Sequence, residues 1–332
     1  MQLCLEQIKA VTQGAFDVIE VDGYIRFLRF TEQETAVINN PNLYYPAGVQ
    51  LTFQTDGTTL RIAGRNIEKS GVRSYYAFDI LENDKPIASF SNLKDEDAVG
   101  NYAWTVYPLG TFCEEIALSE GEKTIRILLP HSVQAELSEL TVMGATYVTP
   151  VKREKTLIAY GDSITQGYDA LHPQNTYAMR VADALGMALH NKSLGGAIFD
   201  PAMSAAPSGV HADMILVAYG TNDWGYQDRP TLTANAAGFF ENLVKQYPGV
   251  PIYAVTPIWR KNHEAVPPFG TFAELADMIE TVCKPYPTVR VINGMPLVPP
   301  DEALFGDLEL HPSDAGFFAY AENLLKEMGK AP

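Results

Sequence analysis

The stretch TLIAYGDSIT, residues 156–165, indicates the fold of the second half of the chain. It starts as an uninterrupted apolar run and turns polar after Gly161, which is the pattern of a buried strand that leads into a helix. Apolar runs of the same kind follow at 213–220, 251–257 and 289–294 (DMILVAYG, PIYAVTP and VRVING), and longer helical patterns separate them. Apolar strands that alternate with helices predict a parallel sheet covered on both faces, in a doubly wound α/β domain.

The first half of the chain follows a different pattern. Up to about residue 150, short runs rich in β-branched and aromatic residues alternate with the turn sequences VDGY (21–24), TDGT (55–58) and ENDK (82–85). Asp-Gly and Asn-Asp pairs favour tight turns between strands, so this half is predicted to be an antiparallel, jelly-roll-like β-sandwich. We therefore expect two domains, 1–150 and 151–332, with the connecting stretch at 144–155.

The composition restricts the partners and the compartment. The chain has 24 Lys and Arg residues against 40 Asp and Glu residues, and the formal charge of −16 would repel nucleic acid and anionic membranes. The N-terminal residues show neither the basic nor the apolar region of a secretory signal, so we expect a cytoplasmic protein. Cys4, Cys113 and Cys283 lie far apart, which favours reduced, partly buried thiols. The composition leaves open whether the chain forms a homo-oligomer.

Four positions lie just after a predicted strand or just before a predicted helix, and in α/β sheets the ends of the strands are where ligands bind. Ser163 lies at a strand-to-helix turn, Gly196 in NKSLGGA (191–197), Asn222 in LVAYGTNDW (216–224) and His311 in DLELHPSDAGFF (307–318). They are candidates for a nucleophile, a backbone amide donor, a side-chain amide donor and a base. Taken singly, a serine there is more often a helix cap, a Gly-Gly pair a plain turn, and an asparagine an Asx turn.

Together these four blocks resemble the SGNH hydrolases, also called the GDSL lipase/esterase family. Ser163 falls in the first block (GDSIT), Gly196 in the second, Asn222 in the third (GTND) and His311 in the last (HPSDAG). The resemblance implies a three-layer, flavodoxin-like α/β/α domain. It also implies that Ser163 is the nucleophile, that His311 is the base, and that the amides of Ser163 and Gly196 bind the oxyanion together with Asn222. No metal or other cofactor is expected.

The sequence departs from the family at the acid of the triad. The family places an aspartate three residues before the histidine, but that position is Leu308 here. Asp307 lies one residue further back and Glu309 one residue nearer, and a backbone carbonyl could also orient the imidazole. We take Asp307 as the first choice.

The order of the two halves bears on the substrate. A sandwich followed by an SGNH domain is similar to the second family of carbohydrate esterases, which implies removal of a short acyl group, acetyl first, from a sugar or oligosaccharide. Trp224 and Trp259 follow predicted strands and could stack on a sugar ring, or else pack at the rim. A lysophospholipase or acyl-thioesterase of the same family is the alternative enzyme. A catalytically decayed carbohydrate-binding or scaffold protein is the alternative of another class.

Overall fold

The computed structural model describes residues 1–69, 73–93 and 102–330 of the chain. In chain order the strands are β1 (Thr12–Gln13), β2 (Asp17–Val21), β3 (Tyr24–Leu28), β4 (Gln50–Thr55), β5 (Thr59–Lys69), β6 (Ala77–Glu82), β7 (Lys85–Ser91), β8 (Gly110–Ala117), β9 (Lys123–Leu128), β10 (Val133–Met143), β11 (Val148–Pro150), β12 (Thr156–Gly161), β13 (Ala188–Asn191), β14 (Met214–Ala218), β15 (Ile252–Val255) and β16 (Val289–Ile292).

The α-helices are α1 (Leu5–Val11), α2 (Glu32–Val37), α3 (Ser163–Gln166), α4 (Tyr177–Ala184), α5 (Pro201–Ala205), α6 (Thr221–Tyr226), α7 (Arg229–Gln246), α8 (Phe272–Cys283) and α9 (Asp314–Glu327). A short 3-10 helix covers Tyr102–Trp104. In the part of the chain that the structure describes, no helix combines the length and the apolar character needed to cross a bilayer.

Two antiparallel sheets form the N-terminal half. One has the order β1-β4-β9-β6-β7, with β11 added to β4, and the other has the order β2-β3-β10-β5-β8. Side chains of both sheets share one apolar core that includes Leu51, Phe53, Ile62 and Leu137. The sandwich is therefore held together by burial of the inner faces of two sheets. The short apolar runs separated by turn sequences had predicted this arrangement.

Two of the predicted turns close tight hairpins. Asp22 and Gly23 have φ of 52° and 77° between the paired residues Val21 and Tyr24, and Asn83 and Asp84 repeat this between β6 and β7. Positive φ at both central positions suits the twist of a two-residue hairpin. TDGT behaves differently, because β4 and β5 belong to different sheets and this turn carries the chain from one sheet to the other.

The C-terminal half holds a parallel sheet with the order β13-β12-β14-β15-β16. Helices α4 and α9 bury their apolar side chains in one core, and α7 and α8 bury theirs in a second one. The predicted fold class, a β-sandwich followed by a three-layer α/β domain, is confirmed. Pairing changes from antiparallel to parallel between β11 and β12; the division of the chain into domains at residue 150 stays a prediction.

Buried polar contacts join the two halves beside the carboxyl edge of the parallel sheet. The fully buried guanidinium of Arg29 donates to the carbonyls of Asn191 and Ser193, at 2.6 and 2.9 Å. Lys192 forms an ion pair of 2.6 Å with Glu34 of α2, and both side chains are shielded from solvent. Residues of the first half thus fix the turn that follows β13. Of the three free thiols, Cys283 is buried, whereas Cys4 and Cys113 are exposed rather than partly buried.

Candidate active site

Ser163 lies just after strand β12, as the first residue of α3. Asp162 caps this helix by accepting from the Ile164 N–H at 2.9 Å. Burial raises the pKa of Asp162 to about 6, although the Ile164 N–H and nearby cations counteract it. A first-turn N–H has no partner within its own helix, so the Ser163 amide is available to a ligand beside its hydroxyl.

The turn after β13, which carries Gly196, is bonded to the end of β12. The Leu194 N–H donates to the Gly161 carbonyl at 3.1 Å, which joins the turn to the end of β12. Gly196 has φ of 76°, and a Cβ atom there would meet nothing within 4 Å. Its left-handed backbone, rather than lack of space, therefore accounts for the glycine.

Asn222 follows β14, the other neighbour of β12, and lies on the first turn of α6. Its side-chain N–H donates to the Ala197 carbonyl at 3.0 Å, which places the amide against the residue after Gly196. An asparagine amide has two hydrogens, so one remains for an oxyanion. Burial raises the pKa of the adjacent Asp223 to about 7, and its carboxylate accepts the Phe199 N–H at 2.9 Å.

His311 comes to Ser163 from a loop before α9. The Ser163 Oγ and the His311 Nε2 are 2.8 Å apart, which is hydrogen-bonding distance. The loop is closed by backbone bonds from Gly306 N–H to the His311 carbonyl and from Ser313 N–H to the Leu304 carbonyl, each 2.8 Å long. The imidazole is thus presented by a short, self-bonded loop.

Asp307 lies on the other nitrogen of the imidazole, with its Oδ2 at 2.6 Å from His311 Nδ1. Its second oxygen accepts the backbone N–H groups of Glu309, Leu310 and His311. Glu309 is exposed, and its carbonyl accepts from the Lys261 N–H. Of the alternatives that the sequence left open, the structure therefore places Asp307 on the imidazole.

The displaced aspartate is accommodated by the backbone of Leu308. This residue has φ of 62° and is 51% exposed, so the chain turns in the left-handed region and directs the leucine to solvent. Such a conformation is rare for a bulky residue. It allows Asp307, four residues before His311 instead of three, to reach the imidazole.

Burial alone would raise the pKa of Asp307, but the hydrogen bond to His311, the charge of His311 and the backbone N–H groups outweigh it. The net result holds the pKa of Asp307 well below its usual range, so the group is ionised at neutral pH. An ionised acceptor on Nδ1 suits a histidine that gains a proton on Nε2.

Sequence reasoning missed Arg73, which reaches this site from the N-terminal half. Its Nη2 lies 3.1 Å from Asp307 Oδ2 and 3.1 Å from His311 Nδ1, while Nε and Nη2 bind Asp169 at 2.9 Å each. Asp169 also accepts the Tyr75 hydroxyl at 3.1 Å. No local motif marks Arg73, because 234 positions separate it from Asp307.

The same cluster does not fit a metal ion. Asp169, Asp307 and His311 bring ligand-type atoms within 4.8 Å of one another. The guanidinium of Arg73 binds both carboxylates, however, and it already supplies the positive charge there. A divalent cation would have to displace it.

Trp224 and Trp259, for which the sequence left open stacking on a sugar or packing at the rim, are both buried. Trp224 is 2% exposed, donates its indole N–H to the Gly270 carbonyl and packs edge-on against Phe272. Trp259 is 9% exposed and packs on Phe305. Both follow strands, as the sequence indicated, but each is covered by residues that come after the next strand along the chain.

Trp104 is the exposed tryptophan beside the site. Its side chain is 48% exposed, and the guanidinium of Arg73 lies over its ring at 4.5 Å. Because Arg73 also contacts Asp307 and His311, the indole stands one residue away from the triad. It belongs to the N-terminal half, in the 3-10 helix Tyr102–Trp104.

Residues 159–317 match the family model of the GDSL-like lipase/acylhydrolase family. No curated protein sequence matches the chain. Among solved structures, the salicylyl-acyltransferase SsfX3 from a tetracycline biosynthetic pathway is 22% identical with a TM-score of 0.80, and the match covers 96% of this chain and 93% of that chain.

Two carbohydrate esterases share the architecture as well. A family two carbohydrate esterase from Cellvibrio japonicus is 18% identical with a TM-score of 0.65, over 97% of this chain and 95% of that chain. The acetyl xylan esterase Est2A from the rumen bacterium Butyrivibrio proteoclasticus is 15% identical with a TM-score of 0.57, over 85% and 90%. At these identities the likeness shows the fold. Residues 159–317 thus form a GDSL-like lipase/acylhydrolase domain, and the chain is an ester-hydrolysing enzyme.

Proposed function

We propose that this chain is a serine esterase that removes a short acyl group, acetyl first, from a sugar or oligosaccharide through an acyl-enzyme. The observation that carries the proposal is the continuous hydrogen-bonded chain from Ser163 through His311 to Asp307, with links of 2.8 and 2.6 Å. A hydroxyl, an imidazole and a carboxylate in this order are the elements of nucleophilic catalysis on a carbonyl.

In the first half of the reaction, Ser163 Oγ bonds to the ester carbonyl carbon as its proton moves to His311 Nε2. The carbonyl oxygen becomes an oxyanion, which accepts from the Ser163 and Gly196 amides and the free N–H of Asn222. Collapse of the tetrahedral intermediate breaks the bond to the alcohol, which leaves with the proton from His311. Asp307 remains ionised and stabilises the imidazolium in between.

In the second half, a water molecule gives a proton to His311 Nε2 and attacks the acyl carbon. The bond to Ser163 Oγ then breaks, the serine recovers its proton, and the carboxylic acid is released. A sugar hydroxyl could take the place of water in this step, so the products should be analysed with and without added acceptor alcohols.

Two features support a carbohydrate ester. The two esterases named above combine the same architecture with carbohydrate substrates, and Trp104 offers an exposed indole next to the triad. Aromatic faces of this kind pack well on the apolar face of a sugar ring.

The test is acetate release from a set of acetylated sugars and oligosaccharides, together with nitrophenyl esters from acetate to palmitate. We expect activity to fall with chain length, and activity that rises with chain length would indicate the lysophospholipase or thioesterase alternative. A fluorophosphonate probe should label the wild-type chain and not Ser163→Ala. Ser208→Ala, which removes another buried serine, is the matched control and should still be labelled. A wild-type chain that stays unlabelled would favour the decayed, carbohydrate-binding alternative.

A further inference from the structure

We propose that Arg73, supplied by the N-terminal sandwich, is a positioning residue that holds the Asp307 carboxylate against His311. The inference rests on the proposed function, because it assigns a role to a group that contacts the triad rather than the substrate. Among the described residues of the first half, Arg73 is the one with a charged group in contact with both Asp307 and His311.

The geometry gives Asp307 Oδ2 two donors. His311 Nδ1 lies at 2.6 Å from this oxygen and Arg73 Nη2 at 3.1 Å. The 3.1 Å between Arg73 Nη2 and His311 Nδ1 separates two donors, so it reflects their shared acceptor and not a bond between them. Arg73 therefore binds the oxygen that His311 needs, while the other oxygen accepts the backbone N–H groups of the 307–311 turn.

Arg73 itself is held by Asp169. The planar guanidinium presents Nε and Nη2 to the two oxygens of this carboxylate, both at 2.9 Å, and the second hydrogen of Nη2 remains for Asp307. Tyr75 and Tyr102 in turn bind the Asp169 side chain and carbonyl, at 3.1 and 2.6 Å. Such a bidentate pair sets both the position and the plane of the guanidinium.

The charges of the cluster fit the reaction. The side chains of Arg73, Asp169 and Asp307 are only 4%, 0% and 3% exposed, so their charges are poorly screened by water. Asp169 cancels the charge of Arg73, which leaves the single negative charge of Asp307 beside a neutral imidazole. When His311 takes the serine proton, the cluster becomes neutral. Without Asp169, the guanidinium would oppose the imidazolium.

A purely structural role for Arg73 makes a different prediction. In that case Arg73 serves only to neutralise the buried Asp169, and removing both residues together should restore the reaction. If Arg73 positions Asp307, the double variant lacks the guanidinium and stays impaired. The pair Arg73→Met and Asp169→Asn therefore separates the two roles.

The experiment measures kcat and KM of the full chain on nitrophenyl acetate. We expect Arg73→Met to lower kcat by about 10- to 100-fold with KM within about twofold, since misplacing a catalytic group costs that much. The double variant Arg73→Met/Asp169→Asn should keep most of this loss. A double variant with wild-type kcat would overturn the proposal.

Two further variants guard against a folding defect. Arg73→Lys keeps a cation for Asp169, but a single ammonium cannot hold both carboxylates as the planar fork does. We expect its kcat to remain several-fold below wild type, and wild-type kcat would contradict positioning by the fork. Arg126→Met removes another buried guanidinium, one that binds Asp183 and Gln50 and lies outside the triad. It should lower Tm and leave kcat unchanged.

Failure of this proposal can be told from failure of the proposed function. If the wild-type chain neither hydrolyses nitrophenyl acetate nor reacts with a fluorophosphonate, the esterase proposal is wrong. If the wild-type chain is active and Arg73→Met is equally active, only the role of Arg73 is wrong.

Discussion

The two sides of the candidate site are built differently. Ser163, Gly196 and Asn222 follow three adjacent strands of one parallel sheet, and backbone and amide bonds between their turns hold them together. His311 and Asp307 belong to one loop before α9, and Arg73 joins them from the sandwich. Both sides contact the first half, but differently: on the serine side it braces the turn after β13 through backbone carbonyls, whereas on the acid side it supplies a charged group that contacts Asp307 and His311 directly.

The largest expected effect concerns the acid side. Asp307→Asn should lower kcat by about 10³- to 10⁴-fold, because an amide on Nδ1 favours the wrong tautomer of His311 and carries no charge for the imidazolium. The measurement is kcat on nitrophenyl acetate across neutral pH.

Two control variants sharpen this result. Glu309→Gln changes an exposed carboxylate two residues away and should leave kcat unchanged. Asp307→Asn/Leu308→Asp restores an acid at the usual family position, but residue 308 faces solvent, so it should not recover activity. Recovery would show that the loop has a second stable turn and that the acid side is less fixed than the serine side.

The serine side is tested by Asn222→Ala. Loss of one oxyanion donor costs about 3–4 kcal/mol in the transition state, which corresponds to about 10²- to 10³-fold in kcat with little change in KM. Steady-state kinetics on a short ester would measure both parameters. If the whole loss appeared in KM, Asn222 would bind the substrate rather than the oxyanion, and the comparison between the two sides would need revision.

The same contrast explains what the sequence could predict. Ser163, Gly196, Asn222 and His311 each lie in a short motif directly after a strand or before a helix, where local pattern and position in the fold are linked. The fold class was predictable for the same reason, since apolar runs of different period distinguish the sandwich from the α/β half.

What could not be predicted depends on distant contacts or on loop conformation. Arg73 meets Asp307 only because the sandwich packs against the site, and nothing near residue 73 indicates it. The choice between Asp307 and Glu309 required the left-handed backbone of Leu308, which no propensity predicts for a leucine. Trp224 was misplaced because the covering segment at 269–272 is remote in sequence.

A moderate effect is expected for the contribution of the sandwich to substrate binding. Trp104→Ala should raise KM for an acetylated oligosaccharide by about 2- to 12-fold, the equivalent of about 0.5–1.5 kcal/mol for an aromatic contact, with kcat nearly unchanged. Trp259→Phe is the control, because this buried tryptophan should affect Tm and not KM. An unchanged KM in Trp104→Ala would show that this indole does not contact the substrate.

The smallest expected effect is a pH-dependent contribution to the contact between the halves. His172 Nδ1 lies 2.8 Å from Asp79 of β6, and this hydrogen bond, against partial burial, raises the pKa of His172 above its usual value. His172 lies three residues after Asp169, so its bond to Asp79 ties the segment that carries Asp169 to strand β6 of the sandwich. A histidine pKa raised by folding stabilises the protein below about pH 6.5, and the contribution is lost as the pH rises through the folded pKa.

His172→Gln should therefore lower the free energy of unfolding at pH 6 and much less at pH 8.5. Because the imidazole is 38% exposed, the difference should not exceed about 1 kcal/mol in urea unfolding. An equal loss of unfolding free energy at both pH values would show that His172 acts through packing and not through its charge.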